Sequence, residues 1–450
     1  MGVVVVTDTR DTSAPTAATT AAPPHPSGGS GAVVGSVLLG VVGLLIVFVL
    51  APRLIDDTRG FSFEPPPDAL KWTFTPSVLV GVIGAIFVLA AVIAFVASRR
   101  WGDATTVSKW ALRGSMVLVI PLVLATALAL SDAPDTNVLQ LLIESLRLGT
   151  PIALGSMAGL WCERSGVVNI GIEGMMLASA GVSFTLYASL GDAAGGLWLW
   201  TAILIAVLTG GLIAALHALV TVTFRVDQII SGVAINLLAL GLTGFLRSEI
   251  IVPGGISSGE STEPIGIPLL SRVPILGEQL FTGKPIFFAM FVVVTGTGFV
   301  LFRTPWGLRV RSCGENPGAA ASLGVDVIRT RYRAVIIGGS IAGLGGAWFS
   351  LETQGGFEDA MTNGTGFIAL AALIFGKWRP GYAFLGALLF GFSRALGARM
   401  QILGVEIGDF SIPSEFWQML PFVVTIIVVA GVVGRAVAPA SVGKPYERPR

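Results

Sequence analysis

Two polar stretches of this sequence carry the side chains best suited to chemistry. The first, Glu163–Met176, reads ERSGVVNIGIEGMM and places charged and amide groups between apolar runs. Charged groups at membrane depth are costly when unpaired, so they usually face protein or a water-filled cavity. The glycines permit a broken helix, whose freed backbone groups can bind a solute or form a hinge. Asn169 and Glu173 are therefore candidates to line a solute path, although glycines at this spacing also serve helix packing alone.

A weaker path candidate, Asn236, ends the stretch VDQIISGVAIN. Asp227 in the same stretch lies at a predicted helix start, where an acidic side chain is favoured by the helix dipole. Asn236 lies about two and a half turns further into that helix. An amide at this depth either bonds a neighbouring helix or faces the path.

The second polar stretch, Cys313–Gly324, reads CGENPGAAASLG. Asn316 suits a helix N-cap, Pro317 the first helical position and Gly324 the residue after the last turn. These signals predict a two-turn helix, followed by a second helical segment from Val325 to Arg333. Because so short a helix is marginal in water, it must pack against something. It is either a turn within a connecting loop or a docking helix whose small side chains let a partner approach closely.

The amino-acid composition indicates which kind of secondary structure holds these residues in place. Of the 450 residues, 53% are hydrophobic and 12% are charged, and the mean hydropathy is +0.81. A soluble domain carries about 25% charged residues, so the bilayer must solvate much of this chain. The formal net charge of +1 argues against a nucleic-acid partner. The predicted fold class is all-α: a polytopic transmembrane helical bundle with broken or re-entrant helices.

Apolar runs of about 20 residues give 10 to 12 predicted spans. Two of them are doubtful as full crossings, because residues 138–160 contain Glu144 and Arg147 and residues 364–376 form a short run. Either is a candidate for a re-entrant or broken helix. The runs are 32–51, 76–97, 115–131, 138–160, 171–190, 197–222, 228–246, 285–302, 334–350, 364–376, 381–397 and 415–434.

Basic residues in short loops set the expected orientation. Six arginines in residues 303–333 place that loop in the cytoplasm. The same rule puts both termini in the cytoplasm. Residues 12–31 are rich in Thr, Ala, Pro and Gly, and residues 1–31 are predicted to be a disordered cytoplasmic tail. Residues 436–450 are predicted to be a second cytoplasmic tail.

Catalytic groupings are not apparent in the sequence. It holds no G-x-x-x-x-G-K-[ST] pattern, so ATP must be hydrolysed by another chain if it drives this one. We predict no catalytic residues, no cofactor and no metal site. Cys162 and Cys313 are expected to be free thiols that act as small buried hydrophobes, and His217 to be a packing residue.

Four motifs resemble permease subunits of ABC transporters. Residues 314–320 with Gly324 resemble the cytoplasmic coupling loop of permeases that serve branched-chain amino acids, ribose and related solutes. Glu163–Met176 resembles the signature of the nucleoside-importing branch of that superfamily. Val226–Asn236 and Gly364–Pro380 match in the same order along the chain. The resemblance covers about residues 138–435, the expected permease core, and leaves 32–137 as extra N-terminal transmembrane helices.

The resemblance implies a function for both stretches. Docking to a cytoplasmic ABC ATPase subunit would use the coupling-loop residues Glu315, Asn316, Ala319, Ala320 and Gly324. A bulky charged residue at Ala320 is accordingly expected to abolish uptake while membrane insertion persists.

The resemblance also implies the other subunits of the transporter complex. They are a second permease subunit, as a paralogue or second copy, and an extracytoplasmic solute-binding protein. The solute is expected to be a nucleoside, carried across the bacterial plasma membrane by alternating access. The alternative solutes for the same kind of importer are a simple sugar and a branched-chain amino acid. An alternative of another class is a secondary transporter, driven by an ion gradient, in which Glu144 or Glu173 binds the ion. A membrane enzyme is disfavoured because the sequence shows no plausible catalytic site.

Overall fold

The structure is a computed structural model in which helices predominate. It divides into two compact units. The first comprises the described residues up to Asp57 together with those between Phe74 and Ala129. The second comprises the described residues between Thr58 and Thr73 together with those from Leu130 onward. The residues it describes are 29–54, 57–62, 71–101, 107, 118–130, 135–190, 197–255, 261–273, 277–404, 406–407, 410–411, 413–423 and 436–447.

The first unit is built around a close pair of apolar helices. Its helices are α1 (Gly29–Leu45), α2 (Pro76–Trp101) and α3 (Val119–Ala129), and α1 continues through a π-helical turn, Ile46–Leu50, and a 3-10 turn, Ala51–Arg53. A Cβ atom on Gly43 would lie 2.8 Å from the carbonyl oxygen of Gly84. Glycine at both positions therefore lets the backbones of α1 and α2 approach closely.

The second unit contains the remaining helices and three small sheets. The strands are β1 (Arg59–Ser62), β2 (Lys71–Phe74), β3 (Asp135–Asn137), β4 (Ile265–Gly266), β5 (Thr282–Gly283), β6 (Glu406–Ile407) and β7 (Phe410–Ser411). The three-stranded sheet has the order β2-β1-β3, and β1 runs parallel to β3 with Gly60 opposite Asp135. The pairs β4-β5 and β6-β7 are antiparallel.

The long helices of this unit alternate with short connecting helices. They are α4 (Val138–Arg164), α5 (Ile172–Leu190), α6 (Leu197–Ala218), α7 (Gln228–Leu246), α8 (Gly277–Phe281), α9 (Pro285–Arg303), α10 (Pro305–Glu315), α11 (Pro317–Ser322), α12 (Val327–Ala347), α13 (Thr365–Phe375), α14 (Pro380–Leu403) and α15 (Ser414–Gln418). Three helices continue as π-helical segments, Leu219–Thr223 after α6, Arg247–Ile251 after α7 and Trp348–Thr353 after α12, and Leu270–Arg272 is a 3-10 turn.

Helix α12 packs on α6 through glycine and alanine. A Cβ atom on Gly339 would lie 2.1 Å from the Cβ of Ala214 and 2.5 Å from the carbonyl oxygen of Gly210. One turn on, a Cβ on Gly343 would lie 2.2 Å from the carbonyl oxygen of Ala206. In lipid, where apolar surface gains little from burial, such close backbone packing is a main source of helix association.

The predicted fold class is confirmed. Within the described ranges, eight helices are long and apolar enough to cross a membrane. The doubtful run 138–160 lies in an unbroken helix of 27 residues, whereas the run 364–376 is helical over only 11. The run 415–434 is described only as far as residue 423, so the range of 10 to 12 spans stays a prediction.

The contact between α6 and α12 predicts that Gly339→Val lowers the stability of the protein. The added side chain meets backbone atoms that cannot rotate away, and overpacking of this kind costs about 1–3 kcal/mol. We expect a lower temperature of aggregation in detergent, measured by fluorescence-detected gel filtration. Gly241→Val is the matched control, because a Cβ there meets nothing within 4 Å. Equal stability of the two variants would contradict the packing account.

Candidate functional site

The candidate site begins where α4 stops, at Arg164, and α5 begins, at Ile172. We call residues 165–171 the helix break. Gly166 adopts a φ of +95°, a conformation that favours glycine. The glycines of this stretch left open a broken helix or close helix packing, and the structure shows a helix that is interrupted here.

Side chains from two other helices satisfy the backbone of the helix break. The amide of Val168 donates to Oε1 of Gln228 on α7 at 2.6 Å. The carbonyl oxygen of Val168 lies 3.0 Å from Nε2 of His217 on α6, and Nδ1 of His217 lies 2.9 Å from the hydroxyl of Ser231. Because a carbonyl oxygen only accepts, Nε2 must carry a proton, and in the neutral imidazole Nδ1 then accepts from the Ser231 hydroxyl. His217 therefore holds the break in addition to filling space.

Asn236 bonds the same region from the middle of α7. Its Oδ1 accepts from the amide of Gly174 at 2.7 Å, and its Nδ2 donates to the carbonyl oxygen of Ile170 at 3.2 Å. A Cβ atom on Gly174 would lie 2.8 Å from the Cα of Asn236, so only glycine permits this approach. Of the two roles considered for Asn236, the structure shows the bond to a neighbouring helix.

Glu173 caps a helix. Its Oε1 accepts from the hydroxyl of Thr362 at 2.7 Å and from the amide of Gly364 at 2.8 Å, and its Oε2 accepts from the amide of Gly366 at 2.5 Å. These donors surround the start of α13, where a negative charge is favoured by the helix dipole. Thr365, the first residue of α13, also accepts a hydrogen bond from Arg394 of α14 at 2.9 Å.

Asn169 differs from Glu173 and Asn236 because its side-chain oxygen accepts no hydrogen bond from the described residues. The side chain is fully buried, and its Nδ2 lies 3.5 Å from both the Cys162 and Met175 sulfur atoms. Its Oδ1 has no hydrogen-bond partner among the described residues. A buried acceptor without a partner is destabilising, so this oxygen remains available to accept a hydrogen bond.

The second polar stretch folds as its sequence predicts. Asn316 caps α11, with Oδ1 accepting from the amide of Ala319 at 3.0 Å, and Pro317 begins the helix. Gly324 follows with a φ of +79°. The next helix, α12, begins at Val327, two residues later than predicted, because Asp326 caps it by accepting from the amide of Arg329 at 3.0 Å.

The predicted docking residues do not all face outward. Glu315, Asn316, Ala319 and Gly324 are exposed, whereas Ala320 is only 2% exposed. Ala320 packs against Cys313 and Val327, with Ala321, Val325 and Tyr446 around them. The expectation that Ala320 contacts a partner is therefore corrected: a bulky residue there would unpack the loop. Sequence reasoning also missed Leu323, which is 85% exposed and is the large apolar residue of this surface.

The two polar stretches lie against each other, although about 150 residues separate them. A Cβ atom on Gly314 would lie 2.3 Å from the carbonyl oxygen of Arg164 and 3.2 Å from the amide nitrogen of Gly166. The guanidinium of Arg331, which is 1% exposed, donates to the carbonyl oxygen of Ser165 at 3.1 Å. Arg164 also lies 3.7 Å from the carboxylate of Glu315. The end of α10, which leads into α11, and the helix break thus form one packed assembly.

Trp378 joins a third motif to this assembly. Its indole nitrogen donates to the carboxylate of Glu163 at 2.5 Å, and its carbonyl oxygen accepts from Arg164 at 2.7 and 3.0 Å. Lys377 and Trp378 both have positive φ, so the turn after α13 is held in an unusual conformation by these contacts. Glu163 and Arg164 therefore position the turn that follows α13.

Both cysteines are free and buried. Burial raises the pKa of the Cys313 thiol to about 11. Within the described residues, no group of three or more His, Cys, Asp or Glu side chains could hold a metal ion.

The burial of Cys313 predicts slow reaction with maleimides, because the thiolate is the reactive form. A Cys162→Ala variant isolates this thiol, and we expect its labelling rate in the folded protein to keep rising with pH beyond 9. After denaturation in SDS the same thiol should label rapidly at pH 8. Rapid labelling of the folded protein at pH 7, measured by mass shift, would show that Cys313 is not buried.

Comparisons with known proteins bear on this site. The family model described as branched-chain amino acid transport system / permease component matches residues 141–429. The nucleoside ABC transporter permease protein NupC of Lactococcus lactis subsp. cremoris is 40% identical over 314 residues, which are 69% of this chain and 98% of that protein. The guanosine ABC transporter permease protein NupQ of Bacillus subtilis is 38% identical over 309 residues, covering 67% and 94% of the two chains.

A more distant relative carries a different solute in its name. The glucose ABC transporter permease protein TsgB13 of Haloferax volcanii is 24% identical over 296 residues, which are 64% of this chain and 76% of that protein. No solved structure gives a significant match.

Proposed function

Because this chain belongs to the family of branched-chain amino acid transport system permease components, we propose that it forms the translocation path of an ATP-driven nucleoside importer. The chain is a multi-pass membrane protein. The observation that carries the proposal is the packing of the end of α10, at Gly314, against the helix break at Gly166, directly before the largely exposed small-residue helix α11. This packing supports a docking surface on α11 that is linked through Gly314 to a discontinuity in the helical bundle.

Docking of a cytoplasmic ATPase is supported by the shape and chemistry of α11. Ala319 and Gly324 leave room for a close approach, and exposed Leu323 offers an apolar group for a partner's pocket. Glu315 and Asn316 provide polar groups at the edge of that surface. The orientation with α11 and both termini in the cytoplasm, inferred from basic residues, is part of the same proposal.

The mechanism is alternating access between outward-open and inward-open states. When the ATPase dimer closes on ATP, it moves α11, and Gly314 presses directly on the backbone at Arg164 and Gly166. The motion then reaches the helix break, where the Asn169 acceptor has no partner in the described part of the chain and Asn236 bonds the start of α5. Glu173 and Asn236 act at the path by holding this backbone, whereas Asn169, which is fully buried in this conformation, becomes the solute contact when the break moves.

The other subunits complete the machine. A second permease chain, as a paralogue or a second copy, forms the other half of the path, and an extracytoplasmic binding protein delivers the solute. Nucleosides are favoured because two relatives at 38% and 40% identity are named for nucleoside or guanosine transport. A sugar is the second candidate, favoured by the named glucose permease at 24% identity.

Uptake by a strain that lacks this chain tests the proposal. We expect radiolabelled guanosine uptake to fall to background and to return when the chain is restored, whereas glucose and leucine uptake should not change. Restored uptake should fail in a strain without the ATPase partner, and it should survive an uncoupler for as long as cellular ATP is maintained. Collapse with the uncoupler at constant ATP would indicate a secondary transporter, and selective loss of glucose uptake would favour the sugar.

The docking surface predicts that Ala319→Arg abolishes uptake. A charged side chain on this exposed position blocks close approach without disturbing the core, so the variant should insert normally but lose the ATPase on affinity purification. Ala360→Arg is the matched control, because Ala360 is also exposed but lies outside the loop. Normal copurification of the ATPase with Ala319→Arg would exclude α11 as the docking helix.

A further inference from the structure

The last described segment, Ala436–Glu447, packs back onto the loop that carries α11, and we call it the C-terminal strap. The amide of Ser441 donates to the carbonyl oxygen of Gly314 at 2.8 Å, and its hydroxyl donates to the carbonyl oxygen of Glu315 at 3.0 Å. The amide of Ala440 donates to the carboxylate of Glu315 at 3.2 Å. The strap therefore contacts the end of α10 through three hydrogen bonds.

These bonds have a clear physical role, because Gly314 and Glu315 are the last two residues of α10. The last four carbonyl groups of any helix lack a partner within that helix. Ser441 supplies two of the missing donors from a distant part of the sequence. The strap thus acts as the C-terminal cap of the helix that supports α11.

The same segment also contacts the helix break. The amide of Gly443 donates to the carbonyl oxygen of Gly166 at 3.2 Å. The carbonyl oxygen of Lys444 accepts from Nη1 of Arg331 at 3.0 Å, while Nε of the same guanidinium donates to Ser165 at 3.1 Å. Arg331 therefore joins the strap to the break through one buried, rigid group.

A third set of contacts lies under α11. Tyr446 packs against the buried cluster of Cys313, Ala320 and Val327. The ion pair between Glu447 and Arg225, at 3.3 Å, is exposed on both sides and so contributes little. The strap consequently touches three parts of the site, which are the end of α10, the helix break and the inner face of α11.

We propose that the C-terminal strap is a positioning element for energy coupling, which fixes α11 to the helix break so that the two move together. This inference rests on the proposed function. Helix α11 has six residues and is too short to be stable alone. Without the strap, α11 would still present its outer surface to the ATPase, but it would pivot at the uncapped end of α10. ATP would then be hydrolysed with little solute carried.

The test compares two truncations in the complete transporter, reconstituted in liposomes with its ATPase and binding protein. A stop after residue 435 removes the strap, and a stop after Glu447 keeps it as the matched control. We expect the shorter chain to bind the ATPase and keep basal ATP hydrolysis, while guanosine carried per ATP falls by about tenfold, which corresponds to a loss of about 1.4 kcal/mol of coupling. The control should match the full chain.

Two further measurements separate positioning from general stability. In nanodiscs, a synthetic peptide of residues 436–450 should restore stimulation of the truncated complex's ATPase by the binding protein, whereas a scrambled peptide should not. Ser441→Ala should raise the ATP used per guanosine by a few-fold, the effect of about one lost hydrogen bond, and Ser441→Thr should restore it. Unchanged coupling in the truncation, or loss of the complex that the peptide does not rescue, would overturn the inference.

The outcome also distinguishes this inference from the proposed function. If the full-length complex neither binds an ATPase nor carries guanosine, the proposed function fails. If the full-length complex is a coupled guanosine importer and the truncation couples equally well, only the role of the strap fails.

Discussion

The contact of Gly314 with the end of α4 is the constraint on which the candidate site depends. A Cβ atom at Gly314 would lie 2.3 Å from the carbonyl oxygen of Arg164, so backbone meets backbone there without an intervening side chain. Side chains can change rotamer and absorb a displacement, whereas directly packed backbones cannot. The loop that carries α11 and the helix break are therefore mechanically continuous, and the buried guanidinium of Arg331 extends that continuity to the C-terminal strap.

Local signals in the sequence predicted much of this site. Asn316, Pro317 and Gly324 specify the short helix through capping rules that involve neighbours within a few residues. Glycines in Glu163–Met176 permitted a break, but they did not distinguish it from close helix packing. Apolar runs predicted the long helices, because the length needed to cross a bilayer is independent of the neighbours of each helix.

The contacts that the sequence did not predict join residues far apart in the chain. His217 on α6 and Gln228 on α7 bond the backbone of Val168, and neither residue type reveals its partner. The strap lies more than 100 residues from the carbonyl groups that it caps. Ala320 shows a different limit: in a run of three alanines, composition does not indicate which one faces inward, and only the packing of α11 decides it.

The bonding of the helix break also determines how far a movement of α11 can spread. Val168 is held by α6 and α7 together, and Asn236 ties α7 to both Ile170 and Gly174. If the helix break is displaced, either these buried hydrogen bonds are lost or α6 and α7 move with it. Loss is unfavourable, because a buried polar group without a partner raises the free energy of the protein. Since α6 packs on α12 through glycines at Gly210 and Gly339, the second course moves the group of helices as one body. This bonding pattern favours a rocking movement of packed helices over a local hinge at the glycines of the break.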